Sequence, residues 1–132
     1  MIKKLIPVNG NGSFNNFVLT SVSKPFVIVY HQSLENSAQA YRNYRSSSAG
    51  GSYDVILANI QELYEQYAFG INKHPLAIRN FLKHLSDSLG AKPQFVLLIG
   101  KGIQPIDLNA GTQNQNLIPT MGIPSSDHLL SA

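Results

Sequence analysis

The sequence contains no cysteine among its 132 residues. This absence excludes disulfide bonds, thiolate metal ligands and any thiol nucleophile within the chain. Charged residues are also scarce: they make up 13% of the chain, whereas apolar residues make up 43%. This composition provides enough apolar material for a core and too little charge for a disordered, solvated chain. The length fits one domain of ordinary size.

Long basic and long apolar runs are missing too. The net charge of +3 comes from scattered lysines and arginines. Aromatic residues do not alternate with them as they do in a nucleic-acid-binding platform, so we predict no nucleic-acid partner. The segment 1–7 begins with basic residues, but its apolar stretch ends at once. We therefore predict neither a signal peptide nor a membrane span. Either the protein is cytosolic or the chain is a piece of something larger.

Three apolar segments predict strands, at residues 25–30, 53–57 and 95–99. The first and third are continuous apolar runs, which are typical of parallel strands buried on both faces. Residues 104–126 show no clear period and predict a long loop, after which residues 127–130 begin a further element.

Helices are predicted between these strands. Ser33 is positioned to cap a helix that begins at Leu34. Asn59 and Glu62 have the spacing of a capping box, and Gly70 ends the helix that they open. A further helix begins at Pro75 and ends at residue 90, where glycine stops it.

The order strand, helix, strand, helix, helix, strand predicts an α/β fold with a mostly parallel sheet and helices on both faces. Functional groups in such sheets collect beyond the carboxyl ends of the strands. His31, Gly100 and Lys101 are the candidates at that edge. Gly100, Lys101 and Gly102 do not form a phosphate-binding loop, because a single residue separates the glycines and no hydroxyl follows the lysine.

Histidines and one aspartate also bear on the chemistry of the chain. The four histidines show no metal-ligand spacing, so we predict no metal site and no cofactor. Asp127 follows a proline-containing loop. It is interpreted either as a helix cap or turn residue, or as a functional carboxylate, and its neighbours Ser125, Ser126 and His128 do not by themselves make a serine triad.

Residues 55–102 contain three segments with a distinctive pattern: VILANIQELYEQYAFG at 55–70, PLAIRNFLKHL at 75–85 and QFVLLIGKG at 94–102. They resemble the gingipain-like cysteine peptidases, whose fold is caspase-like. The resemblance covers residues 24–102 and the tail, and residues 78–83 are its most specific part. In the tail, Ile118-Pro119 and Ser126-Asp127 stand where family members carry Ile-Pro and Ser/Thr-Asp.

The resemblance implies a division of the chain and of its chemistry. Residues 1–23 would be a short extended lead-in, and residues 24–132 the amino-terminal part of a peptidase domain. The family's catalytic histidine and cysteine lie on later strands, so the chain alone is predicted to be inactive. Asp127 would correspond to the pocket carboxylate that binds a basic substrate side chain in Arg-specific gingipains. Lys101 replaces the family's usual aspartate, and Leu129-Leu130 replaces an aromatic pair.

The implied partners are the remainder of the parent domain and a polypeptide substrate. Relatives include secreted proteases and the sortase-like component of the Bacteroidetes type IX secretion system. An extracellular or cell-surface location of the parent is therefore implied. The alternative is a non-catalytic α/β interaction module or pseudo-peptidase, which the two departures from the family pattern favour.

Overall fold

The computed structural model describes residues 13–17, 22–90, 92–104, 107, 109, 111–122 and 126–131. Most of the predicted lead-in, residues 1–23, lies outside these ranges. Three strands form one parallel sheet: β1 (Pro25–Tyr30), β2 (Asp54–Asn59) and β3 (Phe95–Ile99), in the order β2-β1-β3. The predicted parallel sheet is therefore confirmed, although β2 begins and ends slightly later than residues 53–57.

The helices lie on both faces of this sheet. They are α1 (Glu35–Ser46), α2 (Ile60–Tyr67), α3 (Leu76–Leu89) and the short α4 (His128–Ser131). Helix α1 packs on β1 and β2, while α2 and α3 pack against each other, and α4 contacts α3. The α/β fold class is confirmed, and the three-stranded sheet is consistent with part of a caspase-like domain.

The start of α1 differs from its prediction. A 3-10 turn, Gln32–Leu34, precedes the helix, and the His31 side chain accepts a hydrogen bond from the Ser33 N–H at 3.2 Å. The prediction that Ser33 caps a helix beginning at Leu34 is therefore wrong. His31 takes the capping position in place of Ser33. Its Nδ1 also lies 2.8 Å from the Ser33 hydroxyl, and the two contacts between His31 and Ser33 hold the 3-10 turn that precedes the α-helix.

The capping box before α2 is half confirmed. Asn59 Oδ1 accepts a hydrogen bond from the Gln61 N–H at 2.9 Å, as an N-cap residue does. Glu62 does not complete the box, because its carboxylate accepts a hydrogen bond from the Asn15 amide of the lead-in instead. A partner distant in sequence has replaced the local one.

The ends of α3 follow the sequence closely. Pro75 precedes the first helical residue, and His74 Nδ1 accepts a hydrogen bond from the Leu76 N–H at 3.2 Å. At the other end Gly90 has φ 67°, a left-handed conformation that glycine adopts without a Cβ penalty. These two ends orient the helix whose Phe81 is fully buried in the core.

The main core lies between the sheet and the α2–α3 pair. Alternate residues of β1 point into it, because successive strand residues face opposite sides of a sheet. Phe17 of the lead-in also enters this core, and its ring centroid lies 4.9 Å from that of Phe81. The buried residues on this side include Val27, Val29, Ile56, Ala58, Ile60, Leu63, Ile78, Phe81 and Leu85.

The α1 face has a different, aromatic packing. The Arg45 guanidinium lies 5.2 Å from the ring centroid of Phe26 and 5.3 Å from that of Tyr41, distances within the range of cation–π attraction. Arg45 Nε also donates a hydrogen bond to the Tyr41 hydroxyl at 2.9 Å. A charged side chain is thereby accommodated against the apolar face of the sheet.

Strand β3 is less buried than its sequence predicts. All six residues of β1 are buried, whereas Phe95 is 50% exposed and the other four residues of β3 are half-buried. Burial on both faces, the pattern predicted for residues 25–30, therefore holds for β1 and does not extend to β3 in the described residues. The reason is sheet order: β3 lies at an outer position, and α1 packs mainly on β1 and β2.

Candidate functional site

The carboxyl ends of the strands bring the predicted edge residues together. The backbone N–H of His31 donates a hydrogen bond to the Ile99 carbonyl at 3.2 Å, so His31 lies beside Gly100 across the β1–β3 pair. Lys101 follows directly, and its side chain is exposed. The imidazole Nδ1 of His31 lies within hydrogen-bond distance of the Ser33 hydroxyl, so a local turn holds the ring. The other ring nitrogen, Nε2, is not part of this contact.

The chain returns to this edge after the loop. The Leu117 and Ile118 N–H groups both donate to the Lys101 carbonyl, at 2.8 Å and 3.2 Å. This crossing requires glycine at position 100, because a Cβ there would lie 2.5 Å from Ile118 Cγ1. Ile118 is itself 3% exposed, so it has little room to move. The predicted Ile118-Pro119 segment thus packs directly on the strand end.

A buried asparagine closes the base of the same loop. Asn116 is 3% exposed, and its Oδ1 accepts a hydrogen bond from the Ile103 N–H at 3.1 Å. The Thr120 hydroxyl donates to the Ile103 carbonyl from the other side. Asn116 could not be singled out from the sequence, since several asparagines and glutamines surround it and none of them differs in pattern.

The loop between these anchors has its own local order. Asn109 Oδ1 accepts hydrogen bonds from the N–H groups of Gly111 and Thr112, at 2.9 Å and 3.1 Å. The Lys73 ammonium donates to the Gln113 carbonyl and connects the loop to the segment before α3. The prediction of a long loop is confirmed for residues 104, 107, 109, 111–122 and 126, which contain 3-10 conformation at Asp107 and at Gln113–Gln115.

Asp127 lines a pocket to which neither His31 nor Lys101 contributes. It lines a pocket of about 290 Å³ together with residues of α3, α4 and β3, namely Ile78, Leu82, Val96, Leu97, Leu98, His128 and Leu130. Six of these eight lining residues, counting Asp127, are apolar, and Asp127 is exposed. The Asp127 carbonyl accepts a hydrogen bond from the Leu130 N–H at 3.0 Å, which places the residue at the start of α4.

Two ionisable groups near the strand ends are perturbed by their surroundings. Burial raises the pKa of Glu62, and its hydrogen bond with Asn15 opposes that shift. Burial also raises the pKa of Tyr30, the last residue of β1, with smaller contributions from Glu35 and Glu62. Within the described ranges, no three histidine, aspartate or glutamate side chains are grouped closely enough to hold a metal ion.

Comparison with known families decides the relationship of the chain. A sequence model of Peptidase family C25, the gingipain family, matches residues 20–132. The chain belongs to this family. Searches of curated proteins and of solved structures gave no match.

The gingipain family is a family of peptidases, and the substrate class that this membership suggests is a polypeptide. The described strands, helices and loop anchors form an α/β unit, and the chain contains no thiol. No helix among the described residues is long and apolar enough to cross a membrane.

Proposed function

We propose that this chain is the amino-terminal part, without the nucleophile, of a gingipain-like cysteine endopeptidase. One combination carries the proposal: a family match over residues 20–132 in a chain with no cysteine. Residues 24–132 are the peptidase portion, and residues 1–23 are a lead-in that contributes Phe17 to the core. In the parent, a thiolate attacks the substrate carbonyl, the peptide C–N bond breaks as a histidine gives its proton to the leaving amine, and water then hydrolyses the acyl-enzyme intermediate. This chain supplies scaffold and pocket walls.

We further propose that Asp127 binds the basic side chain of the substrate. The support is its position: Asp127 is exposed and lines a pocket of about 290 Å³ in which six of the eight lining residues are apolar. Apolar walls suit the methylene groups of an arginine or lysine, and a carboxylate suits the charged end through charge-assisted hydrogen bonds. His31, Gly100 and Lys101 remain candidates for the functional edge, with structural roles in the strand-end crossing.

The parent is proposed to act outside the cell or at its surface, with a link to type IX secretion, since gingipain relatives do so. A non-catalytic interaction module is the second candidate. Lys101 and Leu129-Leu130 favour it, because they replace an aspartate and an aromatic pair that are usual in the family. Sequencing downstream of residue 132 separates the two. A His-Gly turn and a cysteine-ended apolar strand within about 150 residues, one domain's length, favour the peptidase.

Activity measurements test the proposal on the protein itself. The isolated chain should not cleave arginyl or lysyl peptides with or without reductant, and thiol-blocking reagents should not modify it. Cleavage by the pure chain would contradict the proposal that the nucleophile lies outside these 132 residues.

The Asp127→Asn exchange tests the pocket in the full-length parent. It should lower kcat/KM for basic substrates about 10- to 100-fold, since a hydrogen bond to a charged group contributes about 1.5–3 kcal/mol. Asp107→Asn, at an exposed carboxylate of the preceding loop, is the matched control and should leave the preference unchanged. An unchanged preference in the Asp127 variant would remove that residue from the substrate pocket.

A further inference from the structure

Residues 13–17 of the lead-in lie against helices α2 and α3 and are called the strap below. Asn15 contacts α2 and Phe17 contacts α3, whereas Phe14 is 63% exposed. Contacts at every second residue have the period of an extended chain. Phe17 alone among the five strap residues is buried. The strap is therefore seated on the helices in the manner of a bound peptide.

Two side chains one turn apart on α2 hold Asn15. The Glu62 carboxylate accepts a hydrogen bond from the side-chain amide of Asn15, and the Gln66 side-chain amide donates to the Asn15 carbonyl at 3.5 Å. Residues four apart lie on the same face of a helix, so both can reach one residue of the strap. Together they contact an amide side chain and the backbone that carries it.

Two residues later, Phe17 fills an aromatic site beside α3. Its ring lies edge-on to that of Phe81, with the centroids 4.9 Å apart, an arrangement that aromatic pairs favour. Tyr67 of α2 lies 5.4 Å from the same Phe81 ring. Phe17 is 8% exposed, so it is the apolar anchor of the strap.

The strap leaves hydrogen-bonding groups of α2 unused. Among the described residues, the Tyr64 hydroxyl, the Gln66 Oε1 atom and the Tyr67 hydroxyl are buried and make no hydrogen bond. Buried polar atoms in native proteins are nearly always paired. Gln66 touches the strap and Tyr67 touches Phe81 beside it. The resident segment therefore does not satisfy all the polar atoms of the helix on which it lies.

The strap is also held by few contacts compared with the core. Its anchors are one aromatic ring and the two hydrogen bonds of Asn15 with Glu62 and Gln66, and its other residues are exposed. Segments with few buried contacts open at a lower free energy than the core does. The family match begins at residue 20, so the strap lies outside the matched residues. We therefore expect the strap to open while the sheet and the two helices stay folded.

We propose that the surface of α2 and α3 beneath the strap is a docking site for a polypeptide segment, and that the strap is its displaceable resident. The segment that fits carries a neutral amide side chain and, two residues later, an aromatic residue, as Asn15 and Phe17 do. Glu62 and Glu65 interact electrostatically, so an acidic side chain in place of the amide is disfavoured. The proposal does not depend on the peptidase function, because it involves no catalytic group.

A fluorescein-labelled synthetic peptide of residues 12–18 tests the site in the intact chain by fluorescence anisotropy. Because the closed strap competes with the peptide, the measured Kd is the Kd of the open form divided by the open fraction. Phe17→Ala in the chain removes the anchor of the strap and should lower the Kd at least about tenfold. The same exchange in the peptide should raise the Kd by at least that factor.

Asn15→Asp gives a second test at an exposed residue, so it does not disturb the core. In the chain it should lower the Kd about three- to tenfold, because the strap loses one hydrogen bond. In the peptide it should raise the Kd by a similar factor. Phe14→Ala is the matched control and should leave the Kd unchanged in either partner, since Phe14 is 63% exposed. Urea unfolding shows whether each variant chain folds, and the Asn15 pair decides the test if Phe17→Ala does not.

Three results would overturn the proposal. One is a peptide that binds neither the Phe17→Ala nor the Asn15→Asp chain up to about 1 mM, the range of very weak affinities. Another is a Kd that is the same for the wild-type chain and both variants. The third is a peptide without its aromatic residue that binds as tightly as the original.

Discussion

Replacing Gly100 by alanine should loosen the crossing where the loop returns to the strand ends. The new Cβ would lie 2.5 Å from Ile118 Cγ1 and 3.3 Å from Leu117 Cβ, well inside ordinary contact distance. Ile118 is 3% exposed, so it cannot turn away without disturbing the core. Overpacking of this kind typically costs about 1–3 kcal/mol, and we expect Gly100→Ala to lower the free energy of unfolding by that amount.

A double-mutant cycle isolates the clash from other effects of the exchange. Ile118→Ala alone should cost about 2–5 kcal/mol, because it leaves a cavity in the core. The double variant Gly100→Ala/Ile118→Ala should cost less than the two single changes together, with a coupling of about 1–2 kcal/mol, since the added methyl group then fills space left by the isoleucine.

Urea unfolding followed by circular dichroism measures all four proteins. With a slope of about 1–3 kcal/mol per molar urea, Gly100→Ala should lower the midpoint by about 1 M without changing the slope. Gly90→Ala is a useful control. It is also destabilising, through its left-handed φ of 67°, but no atom lies within 4 Å of the new Cβ. Strict additivity of Gly100→Ala with Ile118→Ala would refute the packing argument.

Three further predictions concern other parts of the fold. Arg45→Lys should cost about 1 kcal/mol in urea unfolding, because lysine keeps the charge but cannot stack flat on Phe26; a change below about 0.3 kcal/mol would contradict the aromatic contact. Asn116→Ala should lower the free energy of unfolding by about 1–3 kcal/mol, since the Ile103 N–H loses its acceptor. It should also make the preceding loop more sensitive to proteolysis, and unchanged stability would contradict the role of Asn116 as an anchor. Hydrogen bonds from the backbone N–H groups of residues 24 and 23 lower the pKa of Asp54 below its ordinary 3.8. The stabilisation of the folded state by the Asp54 carboxylate is therefore present above that pH and is lost as pH falls through the folded-state pKa. The difference in urea stability between wild type and Asp54→Asn should therefore shrink below about pH 4, and a constant difference would refute it.

Local patterns predicted those elements whose partners are close in sequence. The run at residues 25–30 is apolar on both faces, and a strand of that kind is stable only inside a parallel sheet. Helix α3 begins after Pro75 and ends at Gly90 because the missing N–H and the left-handed φ act within one turn. The gingipain resemblance, based on residues 55–102, is confirmed by the family match.

Contacts between distant segments were not predictable in this way. Glu62 bonds to Asn15 rather than to its own helix cap, and Asn116 meets Ile103 across a loop. Neither partner carries a pattern that marks it, since a buried amide is chosen by the geometry of the crossing and not by neighbouring residues.

The amino-acid sequence by itself determined the types of the elements, their parallel connections and the lack of a thiol. Residue periodicity, the residues at the ends of each element and the residue types present can all be read without knowing which elements become neighbours. Only the tertiary structure decided that β1 lies between β2 and β3, and that Asp127 is exposed and lines a pocket with residues of α3 and β3. Burial depends on which elements become neighbours in space, and an apolar strand has the same sequence pattern whether or not a neighbour covers it.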